Sequence, residues 1–313
     1  MASRNETIRG SVDPILSKLA IGFKHENLIA RQVAPVVESL SESGTLYTFG
    51  KEGFMLYDTE RALRANAKKI NFAISSDTYI CKEHALESSL DYKEIDLAEK
   101  AGANQLVKLQ KRALMLTDRA LSIELEKAVA DVVLSGTYYA SGNKVTLTGS
   151  DQWSDDNSDI LGQIETGLAA ARADMGIEPN TLVLGYDAYR EMAGHPQIKA
   201  MVSDNKDKAI VLKADDLAAL LRFDRVLVGK ARYTTDAGVF TDIWTDSAAL
   251  IYTPAPGEMA EGTTPHTVII EEVGYPEVKT YPMKKVIDYE TTLKYQVKNL
   301  STSYGYLITD CKA

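Results

Sequence analysis

Residues 94–134 read EIDLAEKAGANQLVKLQKRALMLTDRALSIELEKAVADVVL, and they contain the strongest single structural pattern in the chain. Apolar residues recur in it at alternating spacings of three and four, the spacing of one α-helical face; they are Leu106, Leu109, Ala113, Leu116, Ala120 and Ile123. A second apolar stripe runs through Val107, Leu114, Leu121, Leu125, Ala128 and Val132. We predict a helix covered by protein on two faces, with a narrow polar strip through Lys108, Lys111, Arg112, Arg119 and Glu126.

The length of this helix constrains the shape of the molecule. An unbroken helix over 94–134 would be about 60 Å long, whereas a compact globule of 313 residues is roughly 50 Å across. Gly102 is a candidate break, but 105–134 alone would span about 45 Å. We expect a flattened or elongated molecule whose apolar surface is completed by a neighbour. Because Leu116 is on the first stripe, we also expect Leu116→Asp to prevent folding.

Composition excludes several classes of protein. A 313-residue chain that is 45% hydrophobic can bury one large core or two modest ones. Its formal net charge of -9 argues against a dedicated nucleic-acid binder. Cys81 and Cys311 are far apart, so no disulfide framework or thiolate metal site is expected, and a reducing compartment is favoured. No apolar run of about 20 residues and no signal peptide are apparent, which predicts a soluble, non-secreted protein.

The segment before the helix has two parts. A short helix over 14–23 is followed by an arm that Pro35 keeps extended. Two stretches with strand character, TLYTF and INFAISSDTYI, then enclose a charged excursion. Its tip cations are mixed with acidic residues and have few aromatic neighbours, so a protein-facing or solvated loop is favoured over a nucleic-acid contact. These cations are Lys51, Arg61, Arg64, Lys68 and Lys69.

The segment after the helix alternates between strands and helices. We predict a hairpin with a Gly-Asn turn over 137–149 and a helix over 158–174 capped by Ser158. Strand TLVLG, helices over 187–193 and 214–222, and strand RVLVG follow. Beyond a Pro/Gly-rich loop, alternation of apolar and polar residues predicts a closing β segment.

A search for chemistry finds no nucleotide-binding, zinc-protease or nucleophile-elbow motif. His25, His84, His195 and His266 are scattered, and a packing role is expected for His195 in its helix-to-helix turn. The run Asp155, Asn157, Asp159 begins like a calcium loop, but Ile160 and Thr166 replace the turn glycine and the bidentate glutamate. We predict a solvated loop, and no catalytic residue, cofactor or metal.

The order of the parts carries a resemblance over about 27–310. Its pieces are the arm NLIARQVAPVV, the two-stranded loop, the long helix, TLVLGYDAYREMAGHPQIKAMV, DSAALIYTPAP and a final GYLITD. The chain resembles the major capsid proteins of tailed double-stranded DNA bacteriophages, the Hong Kong 97-like fold. None of these pieces is a catalytic motif, so the resemblance rests on the ensemble.

The resemblance implies an α+β fold with five regions: an N-terminal arm at 1–43, an extended loop at 44–82, a peripheral domain with the spine helix at 83–157, an axial domain at 158–265 and peripheral return strands at 266–313. Hexamers and pentamers would close into an icosahedral or prolate shell around DNA, without sequence-specific binding. The loop cations Lys51, Arg61, Arg64, Lys68 and Lys69 would contact a neighbouring subunit.

Further implications concern partners and location. Portal, scaffold and decoration proteins are implied partners, no membrane is expected, and the protein would be a non-enzymatic virion component assembled in the host cytoplasm. Only about ten residues precede the first helix, so a separate scaffold protein is expected. No lysine–asparagine crosslink can be assigned. An encapsulin-type nanocompartment and, less favoured, a soluble α/β enzyme with a non-local site remain alternatives.

Overall fold

The computed structural model of the chain describes residues 11–21, 25, 27–49, 56–61, 63–64, 66–67, 69, 74–202, 212–235, 238–254 and 265–313. The helices in this part are α1 (Pro14–Ile21), α2 (Ala30–Val33), α3 (Tyr92–Lys100), α4 (Ala103–Val133), α5 (Ile160–Met175), α6 (Tyr186–Gly194), α7 (Pro196–Val202) and α8 (Ala214–Leu221). Short 3₁₀ turns occupy Gly136–Tyr138 and Gly149–Asp151.

The strands are, in chain order, β1 (Ser11–Val12), β2 (Val36–Ser39), β3 (Ser43–Phe49), β4 (Ile74–Ile80), β5 (Lys82–Asp91), β6 (Lys144–Thr146), β7 (Thr181–Gly185), β8 (Arg225–Gly229), β9 (Arg232–Thr234), β10 (Phe240–Asp242), β11 (Ala248–Ile251), β12 (Thr267–Glu272), β13 (Glu277–Pro282), β14 (Val286–Asn299) and β15 (Gly305–Thr309). The mixture of helices and sheets confirms the predicted α+β class.

The first sheet is organised around the long strand β14. Its order is β1-β13-β14-β12-β2, and β5 pairs antiparallel with the other edge of β14. The odd-numbered side chains of β14, such as Tyr289, Leu293 and Tyr295, join the cores beneath α4. The sheet therefore supplies one cover for the long helix. In a separate small cluster on this sheet, Cys81 is buried against Val268 and Ile270 of β12.

The second sheet has the order β6-β15-β11-β7-β8. Its β7 is an uninterrupted buried run, as expected for a strand covered on both faces. A second core of Trp153, Ile160, Leu184, Leu217 and Tyr306 packs between the sheet and the surrounding helices, and Cys311 is buried in the same core. Strands β6 and β15, from the regions 83–157 and 266–313 expected to be peripheral, are hydrogen-bonded within this second sheet. The domain boundaries themselves stay a prediction.

The candidate break at Gly102 is present, and it divides the long helical stretch into α3 and α4. Asp91 caps α3 through a capping box with Glu94, and the chain then turns at Gly102, whose φ of 114° disfavours any residue with a side chain. After this turn α4 runs unbroken for 31 residues, about 46 Å.

Two assignments on α4 are wrong. Leu116 was expected to be buried but is 68% exposed, whereas Leu114 is fully buried. Glu126 was placed on the polar strip but is fully buried. The helical period identified two apolar sides; it did not identify which side the chain itself covers.

After α4, three local features of the structure differ from the sequence prediction. The expected hairpin is absent among the described residues of 137–149, because β6 pairs in parallel with β15 instead of folding back. The cap of α5 is Asp159, whose carboxylate accepts from the Gly162 N–H at 3.1 Å, and Ser158 is a buried partner of His195. Helix α7 was missed. Within the described residues, no helix combines the length and apolar character that a membrane crossing requires.

Candidate functional site

Strands β3 and β4 form a two-stranded hairpin that leads into an exposed excursion. These strands pair antiparallel from Ser43 opposite Ile80 to Phe49 opposite Ile74, as predicted. In the excursion beyond them Leu56 is 101% exposed and Leu63 is 92% exposed. The two leucines add exposed apolar area to the loop, which a contact with another surface would cover.

Three of the five loop cations are among the described residues. Arg61, Arg64 and Lys69 are exposed, and Arg64 adopts a left-handed φ of 65°. Lys51 and Lys68 lie outside the described residues. The three described cations share the excursion with the exposed leucines and with the exposed Asp58 and Glu60, so the loop presents basic, acidic and apolar side chains together.

The base of the hairpin is fixed to β14. Asp77 forms a 2.8 Å ion pair with Lys298, and this hydrogen-bonded lysine lowers the pKa of the Asp77 carboxyl. The backbone N–H of Ile80 donates to the Gln296 side-chain oxygen at 2.8 Å. Tyr79 lies so close to Gly44 that a Cβ there would be 2.5 Å from the tyrosine hydroxyl. The hairpin therefore leaves the first sheet in a set direction.

The face of the first sheet opposite α4 is acidic. Side chains alternate along β14, so residues such as Asp288, Glu290, Thr292 and Lys294 point away from the helix. Strand pairing places Glu87 opposite Glu290 and Glu277 opposite Thr292. We call this surface the acidic sheet face; its carboxylates are Glu83, Glu87, Glu272, Glu277, Asp288 and Glu290.

Two lysines partly compensate these charges. Lys279 pairs with Glu277 at 2.9 Å. Lys294 lies 3.9, 3.7 and 3.5 Å from carboxylate oxygens of Glu42, Glu83 and Glu272. Six acids against these two bases still leave an excess of negative charge on the acidic sheet face.

A buried carboxylate ties the N-terminal arm to the rest of the molecule. Glu126 of α4 accepts hydrogen bonds from the N–H groups of Ile29 and Ala30 at 2.8–3.0 Å. It also accepts from the indole of Trp244. Burial raises the pKa of Glu126, and these hydrogen bonds oppose that shift. Sequence reasoning missed this residue because its partners are 97 and 118 positions away.

Two of the four histidines, His195 and His266, are buried. His195 is buried within 3.2 Å of Ser158 Oγ, so its predicted packed role is confirmed. His266 stacks on Tyr139 with ring centroids 4.6 Å apart, and burial lowers its pKa to about 4.

The other two histidines face carboxylates. His25 is 2.7 Å from Asp118, and His84 is 2.9 Å from Glu124 while stacking on Tyr295.

In the acidic loop before α5, the Asp155 carboxylate has its hydrogen-bond donors within the loop itself. Asp155 accepts from both the backbone and the side-chain amide of Asn157, at 2.9 and 3.1 Å. In the portion of the chain that the structure covers, no group of three or more histidine, cysteine or acidic side chains is arranged to hold a metal ion.

Comparison with known sequences gives one family and close relatives. Residues 134–292 match the family described as phage major capsid protein E. The chain is 36% identical over 244 residues to the major capsid protein of Burkholderia phage BcepMu, covering 78% of this chain and 76% of the relative. It is 27% identical over 259 residues to the major capsid protein of Pseudomonas phage JBD67, with 81% of each covered.

Comparison with solved structures agrees. A phage-related protein from Bordetella bronchiseptica RB50 superposes with a TM-score of 0.78 at 28% identity, covering 96% of this chain and 98% of that one. The predicted Hong Kong 97-like fold is confirmed by this similarity to phage proteins.

Proposed function

The chain belongs to the phage major capsid protein E family, and we propose that its copies associate as hexamers and pentamers that close into an icosahedral or prolate shell around double-stranded DNA. As a phage major capsid protein it is a structural component of the virion. This membership favours a phage head over the nanocompartment and enzyme alternatives. The absence of catalytic activity, and assembly in the host cytoplasm with scaffold, portal and decoration proteins, belong to the same proposal.

The exposed hairpin is the observation that carries this assembly. Leu56 and Leu63 are almost completely exposed in the isolated chain, and covering two leucine side chains stabilises an interface by about 1.5–3 kcal/mol each. A neighbouring copy is the natural cover, because every subunit of a shell has the same surface to offer.

We infer that the neighbour's acidic sheet face receives the loop. Arg61, Arg64 and Lys69 bring positive charge to the loop, and Glu83 and Glu87 are exposed on β5 of that face. Complementary potentials guide association and fix the relative position of two surfaces. Lys51 and Lys68 belong to the same proposed contact.

The two sheets support a division into domains. The first sheet with α4 would form the peripheral domain, and the second sheet with α5 to α8 would form the axial domain around the symmetry axes. On this proposal β6 and β15, which pair within the second sheet, connect the peripheral segments at 83–157 and 266–313 with the axial domain at 158–265.

A charge exchange tests the intersubunit contact. Arg61→Glu/Arg64→Glu should lower the yield of shells at least tenfold by negative-stain electron microscopy and sedimentation, while circular dichroism of the subunit is unchanged. Arg61→Lys/Arg64→Lys keeps the charges and should assemble. Adding Glu83→Lys/Glu87→Lys to the glutamate variant should restore shells.

The outcomes separate two parts of the proposal. Wild-type shell yield from Arg61→Glu/Arg64→Glu would contradict the role of the loop. Loss of assembly without rescue by the lysines on β5 would place the loop on a different surface of the neighbour.

A further inference from the structure

A groove follows the middle of α4. It consists of two adjoining cavities of about 660 and 630 Å³, which share His25, Met115 and Arg119. The first lies between α4 and the end of β5, and the second between α4 and the ribbon of β9 and β10. From Lys108 to Ile123 the helix forms the floor over about 23 Å. We call this surface the basic groove.

The basic groove has the opposite charge to the chain as a whole. The chain carries a formal net charge of -9, yet one carboxylate, Glu94, is found with His25 and six cations among the ionisable residues lining the two cavities. These cations are Lys108, Lys111, Arg112, Arg119, Lys230 and Arg232.

Within the described part of the chain, several of these cations form no salt bridge. Arg232 pairs with Asp242 at 2.9 Å. Among the described residues, Lys108, Arg112, Arg119 and Lys230 take part in no salt bridge. Their charges are therefore available to an external acidic group.

Apolar side chains lie between the cations. Leu116 is 68% exposed and Met115 is 41% exposed on α4, and Phe240 is 63% exposed on the facing ribbon. Such a cluster, bordered by charges, marks a contact surface. An occupant must therefore bring both apolar side chains and carboxylates.

This combination discriminates between kinds of partner. Phosphates of DNA would bond with the lysines and arginines but would leave Leu116, Met115 and Phe240 uncovered, because backbone contacts use N–H and O–H donors. A helix with one apolar stripe and acidic flanks satisfies both requirements, in the way that amphipathic helices occupy grooves. Fifteen residues of helix are about 23 Å long, which matches the floor.

We propose that the basic groove binds an acidic, amphipathic helical segment of a second protein. The apolar stripe of that segment packs on Met115, Leu116 and Phe240, and its carboxylates pair with Arg112, Arg119 and Lys230. The site is distinct from the hairpin contact and from the acidic sheet face.

A defined peptide tests this assignment on the unassembled subunit. The probe is a fluorescein-labelled 18-residue helical peptide with a leucine stripe flanked by glutamates; its control has the same composition with the stripe scrambled. Fluorescence anisotropy should detect binding of the first peptide, at least tenfold tighter than the second. Arg112→Glu/Arg119→Glu should weaken this binding at least tenfold.

Two further variants keep the test specific. Leu116→Asp should also weaken peptide binding, since it removes an apolar contact without burying a charge. Arg190→Glu/Lys199→Glu makes the same change in net charge away from the groove and should bind as wild type does.

Other occupants have their own results. Equal binding of both peptides, no binding, or binding that survives Arg112→Glu/Arg119→Glu would overturn the proposal. An 18-base-pair DNA duplex that binds more tightly than the peptide and is lost in the same variant would assign the groove to phosphates. Self-association of the subunit that disappears in the variant would assign it to a second copy.

Discussion

The indole Nε1 of Trp244 donates a 2.6 Å hydrogen bond to the carboxylate of Glu126, and both side chains are buried. Trp244 precedes β11 of the second sheet, whereas Glu126 belongs to the helix that covers the first. The same carboxylate holds the backbone of Ile29 and Ala30 at the start of α2. One side chain thus joins the arm, the long helix and the segment leading to the second sheet.

Glu126→Ala should strongly destabilise the subunit. It leaves the N–H groups of Ile29, Ala30 and Trp244 buried without acceptors, and each such group costs about 1–3 kcal/mol. We expect the free energy of unfolding to fall by about 3–5 kcal/mol in urea titrations followed by tryptophan fluorescence. Glu126→Gln retains one acceptor oxygen and should lose less. An alanine variant as stable as wild type would show that this junction is dispensable.

Leu114 and Leu116, two positions apart on α4, should respond differently to the same change. Leu114→Asp places a carboxylate at a fully buried position and should abolish soluble expression. Leu116→Asp changes an exposed side chain, so the free energy of unfolding from urea titration should change by less than about 1 kcal/mol. This replaces the expectation drawn from the helical period. Similar behaviour of the two variants would contradict the orientation of α4.

Gly185 at the end of β7 should tolerate no side chain. A Cβ built there would be 1.4 Å from the backbone oxygen of Thr245, and backbone cannot move aside as a flexible side chain can. Gly185→Ala should therefore lower the thermal midpoint steeply or prevent folding. Gly194 has open space around its Cβ position, so Gly194→Ala is the matched control and should leave the midpoint nearly unchanged.

His266 should make subunit stability depend on pH. Burial lowers its pKa from 6.5 to about 4, so between these values the unfolded chain binds a proton that the folded chain excludes. Stability is therefore complete above pH 6.5 and is lost as pH falls. The loss should reach about 2 kcal/mol by pH 5. The free energy of unfolding, measured by urea titration at pH 7 and at pH 5, should therefore fall less in His266→Gln than in the wild type. The part of the fall that comes from carboxylates should be the same in both.

Sequence patterns predicted those helices and strands that are determined by residues close together in the chain. The period of α4, its break at Gly102 and the apolar runs of β7 and β8 are each set by neighbouring residues, and all are present. Helix α7 was missed because Pro196 and the short following run read as a turn. Strand β6 was assigned to a hairpin because its true partner, β15, is far away in the sequence.

The functional surfaces were predictable only in part. The basic character of the hairpin tip is visible in the composition of 51–69, but the exposure of Leu56 and Leu63 requires the fold. The acidic sheet face combines residues of β5, β12, β13 and β14. Because these strands come from separate parts of the sequence, no single segment predicts this face. The polar strip of α4 indicated part of the basic groove, whereas Lys230, just before β9, and Phe240 of β10 are more than 100 residues away in the sequence from that strip.

Cys81 and Cys311 are buried on different sheets, the first against β12 and the second in the core of β7, β11 and β15. Burial raises the pKa of both thiols, so neither is readily deprotonated in the folded subunit. Each sheet thus contains one buried thiol, and this thiol reacts with a thiol reagent only when the structure around it opens. Single-cysteine variants would let the opening of the two halves be timed separately, with no foreign label added to the chain.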